Sequence, residues 1–146
     1  MDVKDKACEV IARAKNSLIS SVDEDGYPCT KAMLPPRAPK GAADARAQNE
    51  LSVFYFSTNT SSRRVGQYRK NPKASVYFYD ARSFIGVLLI GEMEVLTDAA
   101  SKESIWQSGD TLYYPKGVTD EDYCVLRFTA RRGRLYENFG SKDFDI

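Results

Sequence analysis

Histidine is absent from all 146 residues of the chain. That excludes Ser-His and Cys-His nucleophile pairs, most zinc sites and the commonest haem ligand. Cysteine is scarce: Cys8, Cys29 and Cys124 are odd in number, widely spaced and contain no CxxC pair. They offer neither a zinc knuckle nor a thioredoxin-type site, and read as reduced thiols. A net charge is almost missing, 21 basic against 20 acidic residues giving +1, so no overall field draws the chain to nucleic acid or an acidic membrane. Long apolar runs are missing too. The longest, residues 84–90, is far short of a membrane span. Asp2, Lys4, Asp5 and Lys6 do not resemble a signal peptide. These absences describe a cytoplasmic protein of one domain, residues 1–146, whose chemistry is carried by something other than the usual catalytic side chains. With 42% apolar and 28% charged residues the chain has enough material for one core.

What is present is alternation. Val3, Ala7, Val10, Ile11 and Ala14 recur at helical spacing and predict a helix over residues 3–16. Strands are expected at 17–22 and 29–34, joined by the turn Asp23-Glu24-Asp25-Gly26. Residues 35–50 read as a polar loop with a short helical piece at 42–47. An aromatic strand at 51–58 has no polar face, so both its faces are expected to be covered. A short helix runs to Lys70 and stops at Asn71-Pro72. Strands follow at 74–79 and 84–96, the latter with Ile85, Val87, Leu89, Met93 and Val95 on one face. Gly86 and Gly91 mark bends or close backbone approaches. Asp98 caps a helix over 99–107, residues 109–121 form a loop, and strands at 123–129 and 134–138 are expected to pair as a hairpin across Ala130-Arg131-Arg132-Gly133. Short connections between strands predict a mostly antiparallel sheet, most economically closed into a small barrel.

The near-zero net charge conceals a local imbalance. Residues 51–79 contain no Asp or Glu but carry Arg63, Arg64, Arg69, Lys70 and Lys73. Arg69 and Lys70 suit the C-terminal pole of the short helix, whereas Arg63 and Arg64 fall in its first turn, where cations are disfavoured by about 0.3–1 kcal/mol. Ser61 or Ser62 can cap that end, and its N–H groups point at a would-be anion. Two readings follow: a phosphate site built from a hydroxyl, two guanidiniums and a helix N-terminus, or a solvated basic face paired with acids elsewhere. The segment lacks the glycines of a P-loop or dinucleotide fingerprint. Phe54, Phe56, Tyr77 and Tyr79 read as core or dimer interface rather than as a ligand platform, Trp106 as a packing anchor, and Glu92 and Glu94 as solvent-facing. Lys31, in a short strand, needs an anionic partner or an exposed face.

The order DEDGYP, KAM, FYFSTNTSSRR, NPKASVYFYD, LIGEMEVL, DAASKESIW, YYPKG, DYCVLRFTARRGRLY resembles the pyridoxamine 5'-phosphate oxidase-like family, in particular its small general-stress-protein-like branch. The resemblance spans roughly residues 5–140 and is most specific over 56–72. It implies a mainly β fold, a six-stranded antiparallel split β-barrel with short helices, and a homodimer holding FMN between its subunits. By position, Ser62, Arg63 and Arg64 match the family's phosphate-binding motif. Ser57 and Thr58 match the strand end that touches the flavin, Lys31 and Met33 a strand motif usually begun by Arg, and Gly91 and Glu92 the long strand near the flavin. Oxidases acting on the vitamin carry a Gln where Gly86 stands and an Arg-x-His substrate motif, which this histidine-free chain lacks. The expectation is an FMN-dependent oxidoreductase acting on a small molecule, with neither nucleic acid nor membrane as partner. Two alternatives stand beside it: a flavin-binding or flavin-sensing protein without turnover, and a sibling using a deazaflavin or haem.

Overall fold

A computed structural model describes residues 2–42 and 50–146. Helix α1 (Val3–Arg13) is capped by the Asp2 carboxylate, which accepts the Asp5 N–H at 2.8 Å, and buries Ala7, Val10 and Ile11. It ends at Arg13, short of the expected residue 16, because the buried Ser17 already starts β1. The expected helical piece at 42–47 lies almost entirely outside the described residues.

Strands β1 (Ser17–Val22) and β2 (Pro28–Met33) form a hairpin. Then come β3 (Val53–Asn59), α2 (Arg63–Lys70), β4 (Lys73–Asp80), β5 (Ile85–Leu96), α3 (Ala99–Ile105), β6 (Tyr123–Glu137) and β7 (Gly140–Asp145). The loop expected at 109–121 contains two 3-10 turns, Ser108–Leu112 and Gly117–Thr119. All pairings are antiparallel, in the order β2-β1-β4-β5-β6-β3, with β7 added on β6. Among the described residues the sheet has seven strands and curls without closing. Between its end strands β2 and β3, a single bridge, Arg37 N–H to the Tyr55 carbonyl at 2.8 Å, spans the split among the described residues.

The expected hairpin at residues 130–133 is corrected. Residues 123–137 are one strand, and Arg131 is an extra residue bulged out between Ala130, opposite Gly91, and Arg132, opposite Ile90. A bulge moves the inward face by one residue. Phe128 and Ala130 point inward before it, Gly133 and Leu135 after it. The hairpin lies further on, at Asn138-Phe139, where both residues take positive φ (51° and 62°) and lead into β7.

The main core gathers Phe54 and Phe56 of β3, Val76 and Phe78 of β4, Val87, Leu89 and Met93 of β5, Leu126 and Phe128 of β6, and α1. Ile85 and Val95 pack on it half-buried. Strand β3 alternates strictly, with Phe54, Phe56 and Thr58 buried and Val53, Tyr55, Ser57 and Asn59 half-buried, so one of its faces is fully covered rather than the two expected. A smaller cluster of Ile105, Tyr114, Tyr123 and Val125 lies under α3, with Trp106 packed edge-on to Tyr123 as an anchor.

Candidate functional site

Two cavities adjoin the open side of the barrel. The smaller, about 290 Å³, occupies the split itself: Lys31, Met33 and Leu34 stand on one wall, Phe56 to Asn59 on the other, and Arg37, Tyr113 and Tyr114 close one end. The larger, about 650 Å³, lies between the β1–β2 hairpin and α2. Lys31 and Arg64 line both.

The split owes its polarity to the edge of β3. The Ser52 carbonyl accepts from Ala130 N–H on the β6 side, while the Tyr55 carbonyl accepts from Arg37 on the other. Backbone groups alternate along a strand. Val53, Tyr55, Ser57 and Asn59 therefore turn their N–H and C=O away from β6. The Asn59 carbonyl accepts the Ser62 N–H. Ser57 is left with a donor and an acceptor on the open edge, without a strand partner among the described residues.

The charge is concentrated at the N-terminal pole of α2. Ser62 holds the cap position but its hydroxyl makes no cap bond, and no acid sits in the first turn. Arg64 reaches back to the Thr58 hydroxyl, Nη2 to Oγ1 at 3.1 Å. Its Nε and the Ser62 Oγ are buried without a hydrogen-bond partner. A buried unpaired donor costs about 1–3 kcal/mol, and more when charged. Arg63 projects into solvent beside the larger cavity, and Lys31 is exposed across from it. No described acid forms an ion pair with Arg63, Arg64 or Lys31. The acid-paired half of the alternative thus has no support among the described residues, whereas Arg63 and Lys31 are solvated, as that alternative expects.

The sequence-predicted positions Lys31, Met33, Ser57, Thr58, Arg63 and Arg64 line one or both cavities, while Ser62, at the cap position of α2 with its hydroxyl buried, lines neither. Gly91 and Glu92 also line neither. Gly91 is buried where β6 crosses close by, and a Cβ there would strike the Thr129 carbonyl oxygen. Glu92 faces outward and binds Arg131 at 3.0 Å, as Glu94 binds Arg127. Gly86 lies under Tyr77, whose hydroxyl occupies the space where a side chain at 86 would begin.

Sequence reasoning missed the end wall of the split. Arg37 forms a two-pronged ion pair with Asp110, and donates to the Ile105 carbonyl at 3.1 Å. Burial pushes the Asp110 carboxyl up, but the hydrogen bonds from Arg37 and the Gln107 N–H outweigh it and hold it below the ordinary range. This places Tyr113 and Tyr114 beside the opening. Burial, followed by Cys124, Asp122 and Asp110 nearby, pushes the Tyr114 phenol up to about 12, so it stays protonated. A lone arginine after Pro35-Pro36 and an aspartate in a loop carry no signal in the sequence that they meet. Among the described residues no group of side chains could hold a metal ion, and no helix is long and apolar enough to cross a membrane.

The sequence model of the family described as pyridoxamine 5'-phosphate oxidase matches residues 3–137. The chain belongs to the pyridoxamine 5'-phosphate oxidase-like family. A member of the same family from Clostridium acetobutylicum, related to general stress protein 26 of B. subtilis, has a structure similar over 100% of this chain and 97% of its own. The two are 35% identical, with a TM-score of 0.82. General stress protein 26 from Bacillus anthracis is 16% identical, with full coverage of both chains and a TM-score of 0.73. A heme binding protein from Mycobacterium smegmatis is 13% identical and covers 99% of this chain and 59% of its own, at a TM-score of 0.70. These two distant likenesses show the shared fold of the oxidase-like family alone. No curated protein matches the chain.

Proposed function

We propose that the protein is an FMN-binding flavoprotein, an oxidoreductase acting on a small molecule, working as a homodimer with the cofactor against the subunit interface. The observation that carries this reading is the pair of buried, unpartnered donors at the head of α2, Arg64 Nε and Ser62 Oγ. A phosphate ester of charge about −2 satisfies both. It also turns the cation-rich first turn from a liability into a favourable placement.

The residues fit the group in kind as well as charge. Ser62, Arg64 and Arg63 would hold the phosphate, with Lys31 as a point charge opposite. The Ser57 backbone offers one donor and one acceptor toward the split, suited to the polar edge of a flat heterocycle, while Met33 and Phe56 line the same space. When bound, the flavin supplies the hydride and electron chemistry that the side chains do not. The chain's own contribution is to bind, orient and shield it. Tyr114, a protonated phenol at the mouth, can donate a hydrogen bond to a substrate.

A visible spectrum of the purified protein and a fluorescence titration with FMN test the assignment. A yellow protein, or saturable quenching of added FMN, is expected; a colourless protein that leaves FMN fluorescence unchanged overturns it. Reduction of the bound flavin by NAD(P)H without oxygen separates an enzyme from a flavin sensor. An intense Soret band instead would transfer the assignment to haem, for which this chain has no histidine to offer.

A further inference from the structure

Arg37 ties together segments that lie far apart in the chain. Its backbone N–H donates to the Tyr55 carbonyl on the open edge of β3 at 2.8 Å. Its guanidinium donates to the Ile105 carbonyl at the end of α3 and to both carboxylate oxygens of Asp110. From Asp110 the linkage continues through the backbone. The Asp110 carbonyl accepts the N–H groups of both Tyr113 and Tyr114, each at 2.9 Å. The Gln107 N–H donates to the Asp110 carboxylate at 3.0 Å and fixes the start of the same turn.

The two ends of this series of bonds face each other across the split. On one side, Tyr55 precedes Ser57 by two residues, and the Ser57 N–H and C=O lie on the open edge of β3. On the other, Tyr113 and Tyr114 line the opening together with Arg37. Tyr114 is packed from behind by Tyr123 and Trp106, with ring centres 5.0 and 6.3 Å away. Tyr113 is 64% exposed, so its place depends on the backbone bond to Asp110. A buried ion pair is often no more stabilising than an apolar pair of similar volume. Stability alone therefore does not account for Arg37 and Asp110, whereas a fixed spacing does. Nor is Arg37 a spare phosphate ligand, since Asp110 already matches its charge.

We propose that Arg37 is a positioning residue. Acting through Asp110, it sets the distance between the tyrosine wall and the Ser57 edge, and with it the width of the slot that takes the flat ring of the cofactor. The inference rests on the flavin reading, because that reading puts the ring in the split and the phosphate at the head of α2. The pair acts on the ring and not on the phosphate.

The test titrates the intact protein with FMN and with riboflavin, which has the ring without the phosphate. Lysine keeps the charge but loses the fork, so Arg37→Lys is expected to bind both flavins about tenfold more weakly, by the same factor for each. The visible bands of the FMN that remains bound change shape. Arg64→Ala behaves differently, losing FMN affinity and sparing riboflavin. The double variant Arg37→Met/Asp110→Leu separates positioning from stability. Two apolar side chains keep the wall packed, so Tm stays near that of the wild type, but the fork is gone and riboflavin affinity stays low. Wild-type affinity for both flavins in Arg37→Lys, or recovery of affinity together with Tm in the double variant, overturns the proposal and leaves the flavin reading intact. So does a wild type that binds FMN but no riboflavin, since the ring then gains nothing from the slot. Failure of the wild type to bind either flavin overturns the two together.

Discussion

Arg37 and Asp110, 73 residues apart in sequence, meet through two hydrogen bonds of 2.6 and 2.8 Å, and both side chains are largely buried. Through this pair the segment leaving β2 is fastened to the turn that carries Tyr113 and Tyr114. The same arginine's backbone N–H makes the bridge across the split. One residue thereby sets the spacing of both walls.

Removing half of a buried pair leaves a stranded charge, so Asp110→Asn is expected to lower stability by about 3–5 kcal/mol at neutral pH. The pH profile identifies the cause. Asp110 has a folded-state pKa below its unfolded value near 3.9, so its contribution is complete above about pH 4–5. It is lost as pH falls through the folded value. Denaturant unfolding of wild type and variant should show a constant gap from pH 7 to 5 that narrows under more acidic conditions. A gap that persists unchanged into strong acid would refute the assignment.

Arg64 is the better-placed of the two guanidiniums, half-buried and tethered to Thr58, whereas Arg63 is exposed. Charge-assisted hydrogen bonds contribute about 1.5–3 kcal/mol. Arg64→Ala should therefore weaken FMN binding roughly ten- to a hundredfold. Arg63→Ala should have the smaller effect, fading with added salt. Equal effects for the two variants in fluorescence titration would contradict the geometry.

Gly91 and Gly86 both stand at close approaches, but against different neighbours. A Cβ on Gly91 meets backbone, the Thr129 carbonyl oxygen and the Ala130 Cα, while one on Gly86 meets the end of the Tyr77 side chain. Backbone in the middle of a sheet cannot move aside, whereas a tyrosine can swing. Gly91→Ala should cost about 1–3 kcal/mol, a fall in Tm of roughly 4–12 °C. Gly86→Ala should cost less, and Tyr77→Leu in the same chain should relieve it. Thermal denaturation ranks the three.

Phe139 is 99% exposed and holds φ at 62° in the β6–β7 turn. After Asn138, glycine is the residue this turn favours. Phe139→Gly should raise stability by up to about 1 kcal/mol, as relief of the left-handed strain outweighs the entropy gained by the unfolded chain. An unchanged or lower Tm would contradict the turn geometry.

What the sequence could show is what depends on neighbours a few residues apart. The inward rhythm of β3 to β5, the Asp98 cap, the Asp23–Gly26 turn and the misplaced cations at 63 and 64 all act within one or two turns of chain. The errors arose where distance along the chain became long. Arg131-Arg132-Gly133 resembles a turn locally, because a bulge reverses the inward face just as a turn does. Only the unbroken partner β5 shows that the strand continues. Strand β7 has one apolar side chain facing inward, Phe144, whose ring lies over Gly133; one contact leaves no alternation to read. The Arg37–Asp110 pair and the junction of Lys31 with Arg64 across two cavities are likewise matters of register. Local free energies select each element, but which strand edges stay open, and which loops meet above them, depends on how the whole sheet curls.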